Sequence, residues 1–378
     1  MPWVMYLSTF CILFAANKVK RNQQKYLIAV AVAFMIILIA GNYTNLDYAN
    51  YQESYSRVLS YSSHAKEWLY SFLKEISYSK LGLNYDIFRL LLTAAGCTIM
   101  TLAFSKHIKY LAPVLMLFLV FPFCYYSTIF RNFLGACLFF YATYFLKELN
   151  TRNAVLYGAF IVLASGIHYL FAVYFVFYLC YFMDKTKIQK RIITFAAIAS
   201  FIIALLPSTL ISVAQNGLRL LGDDNRAFYM QSVATHHGYI LWWGFQFIFF
   251  GIAYYAYKTT RDLQIHSDNE FVQHQIQMVR VVYNMSMISF LFCALYRLQG
   301  DFSRLLLNQL PLLFLQYECT REVVRSTANT DAIKNVLRLK WFVIGFAILY
   351  FVEIFIVNGL WDAVFMEMMR HNWILELL

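Results

Sequence analysis

Eight arginines stand apart from the other cations of this chain, because they lie away from the basic clusters that flank most of the apolar segments. They are Arg57, Arg89, Arg131, Arg219, Arg226, Arg297, Arg304 and Arg370. A guanidinium binds phosphate or carboxylate through two parallel hydrogen bonds, whereas a lysine ammonium acts as a point charge. Several arginines that converge on one cavity are therefore suited to a polyanionic lipid headgroup such as a diphosphate.

Three of these arginines have informative neighbours. Arg131 opens an apolar segment in SerThrIlePheArgAsn (127–132), where a helix N-terminus would add its own partial positive charge to an anion site. Arg297 and Arg304 flank a short turn that contains Asp301, and Asp301 could instead neutralise one of them. We expect Arg131, Arg297 and Arg304 to contact the diphosphate.

His168 is a candidate general base. It lies in SerGlyIleHisTyr (165–169), at a break in a long apolar stretch. An apolar environment favours the neutral imidazole, which can accept a proton. The alternative interpretation is a histidine that only completes a buried helix break. His236 and His237 are adjacent on a loop and make a poor chelate, so we predict no metal site and no cofactor.

Asp47 is the second candidate base, and tyrosines follow it. In AspTyrAlaAsnTyrGlnGluSerTyr (47–55), a helix would place Asp47, Tyr51 and Tyr55 on one face. Tyrosine rings stack on sugars while hydroxyl and carboxylate groups bond to sugar hydroxyls, which makes Tyr48, Tyr51 and Tyr55 candidate sugar contacts. The alternative is an aromatic belt at the membrane interface.

The composition of the chain indicates a membrane protein. Of the 378 residues, 61% are hydrophobic and 13% are charged, and the mean hydropathy is +0.56. A soluble domain has about 45–50% apolar and about 25% charged residues, so we predict an all-α polytopic membrane protein. The net charge of +11 is then a signal of topology, since basic residues concentrate in cytoplasmic loops, and does not indicate nucleic acid.

Twelve apolar stretches are candidate spans, near residues 2–16, 26–40, 86–104, 110–126, 130–146, 154–167, 169–183, 192–211, 239–257, 281–297, 304–318 and 341–360. Twenty of the 31 Lys and Arg residues then face the cytoplasm, and both termini face outside. We treat 1–378 as one transmembrane domain. Its two long outer segments, 41–85 and 212–238, direct the search for function to a cavity on the outer face, and the stretch around His168 must bend.

The order of these features resembles the EpsG family of Wzy-type polysaccharide polymerases. The matching pieces are the Asp47-to-Tyr55 pattern, PheArgAsnPheLeuGlyAla (130–136), AlaSerGlyIleHisTyr (164–169) and the Arg297-to-Arg304 turn. The resemblance implies a multi-pass protein of the bacterial plasma membrane with a GT-C-like architecture. It implies metal-independent transfer of glycan from undecaprenyl diphosphate onto the non-reducing end of another lipid-linked repeat, which builds capsule, exopolysaccharide or O-antigen.

The residue roles carried by this resemblance agree with the arginine argument. Arg131, Arg297 and Arg304 would bind and stabilise the departing diphosphate, with Arg219 or Arg226 closing over it, and Arg89 would contact substrate. His168 or Asp47 would be the base. The expected partners are the lipid-linked oligosaccharides and membrane lipid, with a chain-length regulator and a flippase of the same pathway.

Other functions share the need for an arginine-lined cavity. A transporter or flippase of lipid-linked glycans should show inverted repeats or two matching halves, and the sequence shows neither. A related GT-C glycosyltransferase would carry an acidic pair in its first outer segment, where Asp47 is the single aspartate and the pair Asp223-Asp224 comes late in the chain. A polymer ligase would differ only in its acceptor and stays an alternative.

Overall fold

The computed structural model describes residues 1–57, 67–148, 150–183, 187–206, 211–212, 215–216, 238–263, 269–327 and 329–377, with the backbone alone for 187–190. Helices are the only regular elements in these ranges. The helices of the first part are α1 (Pro2–Ala16), α2 (Arg21–Gly41), α3 (Tyr48–Ser56), α4 (Trp68–Glu75), α5 (Tyr85–Ser105), α6 (Ala112–Val120), α7 (Phe123–Thr128), α8 (Phe130–Ala142) and α9 (Thr151–Ile167).

The later helices are α10 (Lys187–Ala204), α11 (Gly238–Arg261), α12 (Glu270–Ile288), α13 (Cys293–Leu298), α14 (Arg304–Leu307), α15 (Leu310–Arg325), α16 (Thr330–Phe351), α17 (Glu367–Arg370) and α18 (Trp373–Glu376). A 3₁₀ segment, Tyr169–Tyr181, follows α9. Shorter 3₁₀ and π-helical turns are Ile76–Lys80, Thr143–Lys147, Ser289–Phe292, Gly300–Ser303, Val352–Val357 and Trp361–Met366.

Five helical stretches among the described residues are long and apolar enough to cross a membrane, which makes this a multi-pass membrane protein. They are Arg21–Gly41, Tyr85–Ser105, Gly238–Arg261, Glu270–Leu298 and Thr330–Val357. Each contains or overlaps a predicted span. Four shorter apolar helices are Pro2–Ala16, Thr151–Ile167, Tyr169–Tyr181 and Arg191–Ala204. The count of twelve spans and the GT-C-like architecture stay predictions.

The chain divides into two compact units. Unit 1 comprises residues 1–145, 149–175 and 340–378, and unit 2 comprises 146–148 and 176–339. The predicted first outer segment, 41–85, contains α3 and α4 and belongs to unit 1. Most of the second, 212–238, lies outside the described residues, and Arg219 and Arg226 lie there too.

In unit 1, α2 and α5 run antiparallel and pack on each other, while α8 packs between α5 and α9. Asparagine side chains start two of these helices, because their amide oxygens accept hydrogen bonds from otherwise unpaired backbone N–H groups. Asn84 Oδ1 accepts from Ile87 N at 2.9 Å at the start of α5. Asn150 Oδ1 accepts from Asn153 N at 2.7 Å at the start of α9.

In unit 2, α11, α12 and α15 pack around buried amides. Gln316 Nε2 donates to the Ala253 carbonyl at 3.1 Å and to the Val279 carbonyl at 2.9 Å, which ties the three helices together. Tyr296 donates its hydroxyl hydrogen to Gln246 Oε1 at 3.0 Å. Polar side chains that bridge helices in an apolar surround fix which faces meet.

Candidate active site

Glu67 joins the two sequence motifs that we expected to carry chemistry. Its Oε1 atom lies 2.6 Å from His168 Nδ1. Its Oε2 atom accepts a hydrogen bond from Arg131 Nη1. Both partners are distant in sequence, by 101 and 64 residues. The carboxylate therefore holds the start of α8 and the end of α9 in one cluster, which we call the Glu67 cluster.

The break at His168 places its ring in this cluster. Helix α9 ends at Ile167, His168 is extended with φ −147° and ψ 115°, and the 3₁₀ segment begins at Tyr169. This confirms the predicted bend at residues 166–168. Arg131 is the second residue of α8, directly after the break at Ile129, so its predicted place at a helix N-terminus is also confirmed.

Gly166 explains how α4 approaches α9 closely enough for Glu67 to reach His168. A Cβ atom at position 166 would lie 2.8 Å from the Trp68 indole and 2.9 Å from Leu69 Cβ. Trp68 and Leu69 directly follow Glu67 in the chain. The glycine of the SerGlyIleHis motif therefore makes room for the segment that carries the carboxylate.

Gly135 serves the neighbouring contact. It lies four residues after Arg131 on α8, and a Cβ atom there would lie 2.4 Å from the Phe171 ring. Phe171 follows His168 by three residues, and its ring centroid lies 6.4 Å from that of His168. A glycine in each motif thus brings the arginine and the histidine together by backbone approach.

Tyrosines enclose the Arg131 guanidinium. Its central carbon lies 5.1 Å from the Tyr51 ring centroid and 5.8 Å from that of Tyr70, both within cation–π range. Among the described residues, the buried Nε of Arg131 and the buried hydroxyl of Tyr70 have no hydrogen-bond partner. Buried donors without partners cost free energy, so they mark a place where a ligand would complete the hydrogen bonding.

The charge of the carboxylate follows from these neighbours. Burial raises the pKa of the Glu67 carboxyl, but the His168 hydrogen bond and the positive charge of Arg131 more than offset this, so the pKa lies below its ordinary value. Glu67 is therefore ionised at neutral pH. Burial and the nearby Arg131 charge lower the pKa of Lys74 on α4, whose ammonium donates to Ser54 Oγ at 2.8 Å.

The ionised carboxylate determines the histidine tautomer. A carboxylate oxygen can only accept a hydrogen bond, so His168 Nδ1 must donate. In the neutral ring the lone pair then resides on Nε2, which is the arrangement that suits a general base. The cluster thus combines an oriented imidazole with a guanidinium that carries an unused donor.

Arg89 has a different environment. Its side chain is 1% exposed, and its two terminal nitrogens donate to the carbonyls of Asn42 and, at 3.0 Å, Ser127. These bonds tie the end of α2 to the end of α7. This geometry is typical of an arginine that holds the backbone around a site, and its role in substrate binding stays a prediction.

Tyr48 and Tyr55 direct their hydroxyls to acceptors on or just before α5. Tyr48 donates to Asp86, and Tyr55 donates to the Leu83 carbonyl at 2.9 Å. Tyr48 and Tyr55 are the buried residues of α3, and Tyr51 is the tyrosine of this helix that lies against Arg131. Asp47 is the residue before α3 and is half-buried.

Arg297 and Arg304 belong to unit 2. Arg297 lies on α13 with its guanidinium 4.3 Å from the Tyr239 ring centroid. Arg304 Nη2 lies 2.9 Å from Asp301 Oδ1, so the neutralising role considered for Asp301 is present. Gln299 Nε2 donates to the other carboxylate oxygen at 2.8 Å.

Glu67 is the functional candidate that the sequence argument missed. It lies in a polar segment that also holds Glu53 and Glu75, and nothing in its immediate neighbours separates it from them. The available signal was the pair of glycines in the two motifs, which indicates close approach but does not say what approaches. In the described ranges, no group of three or more His, Cys, Asp or Glu side chains is arranged to hold a metal ion.

Comparison with known proteins places the chain. Searches of curated proteins and of solved structures gave no match. The EpsG family matches residues 25–365, which cover α3, the Arg131 and His168 motifs, Glu67 and the Arg297-to-Arg304 turn. The chain therefore belongs to the EpsG family, a family of Wzy-type polysaccharide polymerases.

Proposed function

We propose that this protein polymerises lipid-linked oligosaccharide repeats, with the Glu67 cluster as its catalytic centre. The donor is a glycan on undecaprenyl diphosphate, and the acceptor is the non-reducing end of a second lipid-linked repeat. The observation that carries the proposal is that one carboxylate holds both His168 and Arg131. A base and an anion-binding group at one place are what glycosyl transfer from a diphosphate requires.

His168 acts on the acceptor. Glu67 fixes its Nδ1–H, so that Nε2 takes the proton from the attacking sugar hydroxyl. The hydroxyl oxygen forms a bond to the anomeric carbon of the donor as the bond from that carbon to the diphosphate oxygen breaks. Glu67 stabilises the imidazolium that results and does not itself take the proton. Asp47 is the second candidate for the base.

Arg131 acts on the leaving group. The diphosphate departs with the electron pair of the broken bond, and its negative charge increases in the transition state. The guanidinium spends one nitrogen on Glu67 and keeps its buried Nε for the departing oxygen. Arg297 and Arg304, with Arg219 or Arg226, stay predicted ligands of the diphosphate, so that no metal ion is required. Arg89 supports the site by holding the ends of α2 and α7 together.

Tyr51 is proposed to contact sugar. Its ring lies against Arg131, so a pyranose stacked on that ring would bring its anomeric carbon near the guanidinium. Tyr48 and Tyr55 would then support α3 through their hydroxyl bonds and contact sugar through ring edges.

Reconstitution tests the proposal. The purified chain is placed in vesicles with a defined undecaprenyl-diphosphate-linked repeat and a chelator, and the products are separated by size. We expect a ladder of products for the wild type and none for His168→Ala. If His168→Ala gave a ladder of undiminished intensity and Asp47→Asn gave none, the base would be Asp47. Undiminished ladders from both variants would refute a base from either residue.

A further inference from the structure

A cavity lies in unit 1 between α2 and α5, with a volume of about 450 Å³. It lies at the start of α2 and the end of α5. Arg89, near the start of α5, bonds to Asn42 at the end of α2, so the cavity is at the opposite end of this helix pair. A helix of 21 residues is about 30 Å long, which is the thickness of the hydrocarbon core of a bilayer.

The lining of this cavity separates into a basic mouth and an apolar wall. The basic side chains are Arg21, Lys25 and Lys109. The apolar wall includes Ile28, Val32 and Leu102, and no acidic side chain lines the cavity. In the described part of the chain, neither Arg21 nor Lys25 forms an ion pair with a carboxylate.

The uncharged polar groups indicate what is missing. Thr98 and Thr101 donate their hydroxyl hydrogens to carbonyls of α5, each at 2.7 Å, so these hydrogens are already used. Gln24 is 3% exposed and lines the same cavity, and its buried Nε2 has no hydrogen-bond partner among the described residues. A buried amide donor beside three cations calls for an acceptor with negative charge.

We propose that this basic cavity binds the phosphate of an anionic glycerophospholipid. The cations and Gln24 Nε2 hold the headgroup, and the acyl chains lie along Ile28, Val32 and Leu102. Basic pockets between membrane helices bind anionic headgroups in this way. The site is distinct from the Glu67 cluster, and the inference does not depend on the proposed catalytic function.

Titration of the full chain in neutral detergent tests this site. Dioleoylphosphatidylglycerol is added, and its apparent Kd is measured from the rise in Tm, with dioleoylphosphatidylcholine and inorganic phosphate as separate arms. Lys25→Ala removes one exposed cation and should weaken binding about fivefold. Gln24→Leu removes the buried donor without changing charge and should weaken it about tenfold.

Lys18→Ala is the matched control, because Lys18 lies just before α2 but packs on the Phe14 ring and does not line the cavity. We expect it to bind phosphatidylglycerol as the wild type does. Loss of binding in Lys18→Ala equal to that in Lys25→Ala would indicate general surface attraction and overturn the site. A Tm rise with inorganic phosphate alone that matches the lipid would equally overturn the assignment to a lipid headgroup. If Gln24→Leu folds poorly, Lys25→Ala still tests the site, because Lys25 is exposed and its replacement should not disturb folding.

Discussion

Two arginine–carboxylate pairs in this protein differ in sequence separation and in the exposure of the carboxylate. Glu67 meets Arg131 across 64 residues of sequence, and its side chain is 13% exposed. Asp301 meets Arg304 three residues along the same turn, and its side chain is 55% exposed. The first pair depends on the packing of α4, α8 and α9. The second forms wherever that turn forms.

This difference separates a pair that organises a site from a pair that merely accompanies an arginine. An exposed pair contributes roughly 0–1 kcal/mol, so Arg304 can exchange Asp301 for a ligand at small cost. A largely buried carboxylate that holds two groups cannot be removed without leaving both of them misplaced. The comparison therefore assigns the positioning role to Glu67 and leaves Asp301 replaceable.

The difference between the two pairs is tested most directly by replacing each carboxylate with the corresponding amide. Glu67→Gln replaces a carboxylate that can only accept by an amide that can also donate to His168 Nδ1, so the ring is no longer held in the tautomer with its lone pair on Nε2. We expect polymerisation to fall by about 10³-fold. Asp301→Asn should change the rate by no more than about threefold. The measurement is the initial rate of repeat-unit incorporation by protein of checked expression and Tm. Equal losses in the two variants would contradict the distinction between the pairs.

The packing that brings Glu67 into place can be tested without touching a charged group. Gly166→Ala should displace α4 through the Trp68 contact and lower the rate by about 100-fold, since a shift of about 1 Å has effects of that size. Gly345→Ala on α16 is the control, because a Cβ there meets nothing within 4 Å. Activity of Gly166→Ala equal to that of the control would show that the close approach is dispensable.

Part of this site could be predicted from the sequence. Arg131 and His168 were identifiable because each sits at an interruption of an apolar segment, and such interruptions are costly in a membrane unless they serve a purpose. Glu67 was not identifiable, since its partners are defined only by the packing of three helices. The spacing correctly predicted a helix after Asp47, but the acceptors of the Tyr48 and Tyr55 hydroxyls, Asp86 and the Leu83 carbonyl, depend on tertiary packing.

The fold shows the same limit. Long apolar runs predicted the five helices that can cross a membrane, because hydropathy over about 20 residues is a local property. The short elements around the site are not local in this sense. The break at Ile129, between α7 and α8, falls in the gap between two predicted spans, but the bond from Arg89 to the Ser127 carbonyl beside it depends on tertiary packing.

Arg89 differs from Arg131 because its partners are backbone carbonyls and not a carboxylate. Arg89→Ala would leave the Asn42 and Ser127 carbonyls without this donor in a buried place, so we expect a loss of about 3 kcal/mol in stability. Arg131→Lys keeps a cation beside Glu67 but loses the guanidinium fork, so it should leave Tm nearly unchanged and lower the rate by about 100-fold. Thermal unfolding in detergent and rate measurements distinguish the two. An Arg89→Ala protein with wild-type Tm and no activity would assign Arg89 to substrate binding instead.

The smallest expected effect is the dependence of the Glu67 cluster on pH. Because the folded state lowers the pKa of Glu67, the unfolded chain binds more protons at acidic pH, and stability rises with pH in that window. The contribution is complete above the pKa of the unfolded carboxyl and is lost as the pH falls through the lower folded value. The groups facing the carboxylate that carry or can take up a charge are Arg131, His168 and Lys74, and Glu67→Gln leaves all three in place. The difference in Tm between wild type and Glu67→Gln should therefore be constant near neutral pH and shrink on acidification.

A difference that grows as the pH falls would mean that the carboxyl is protonated in the folded protein, and the tautomer argument for His168 would fail with it.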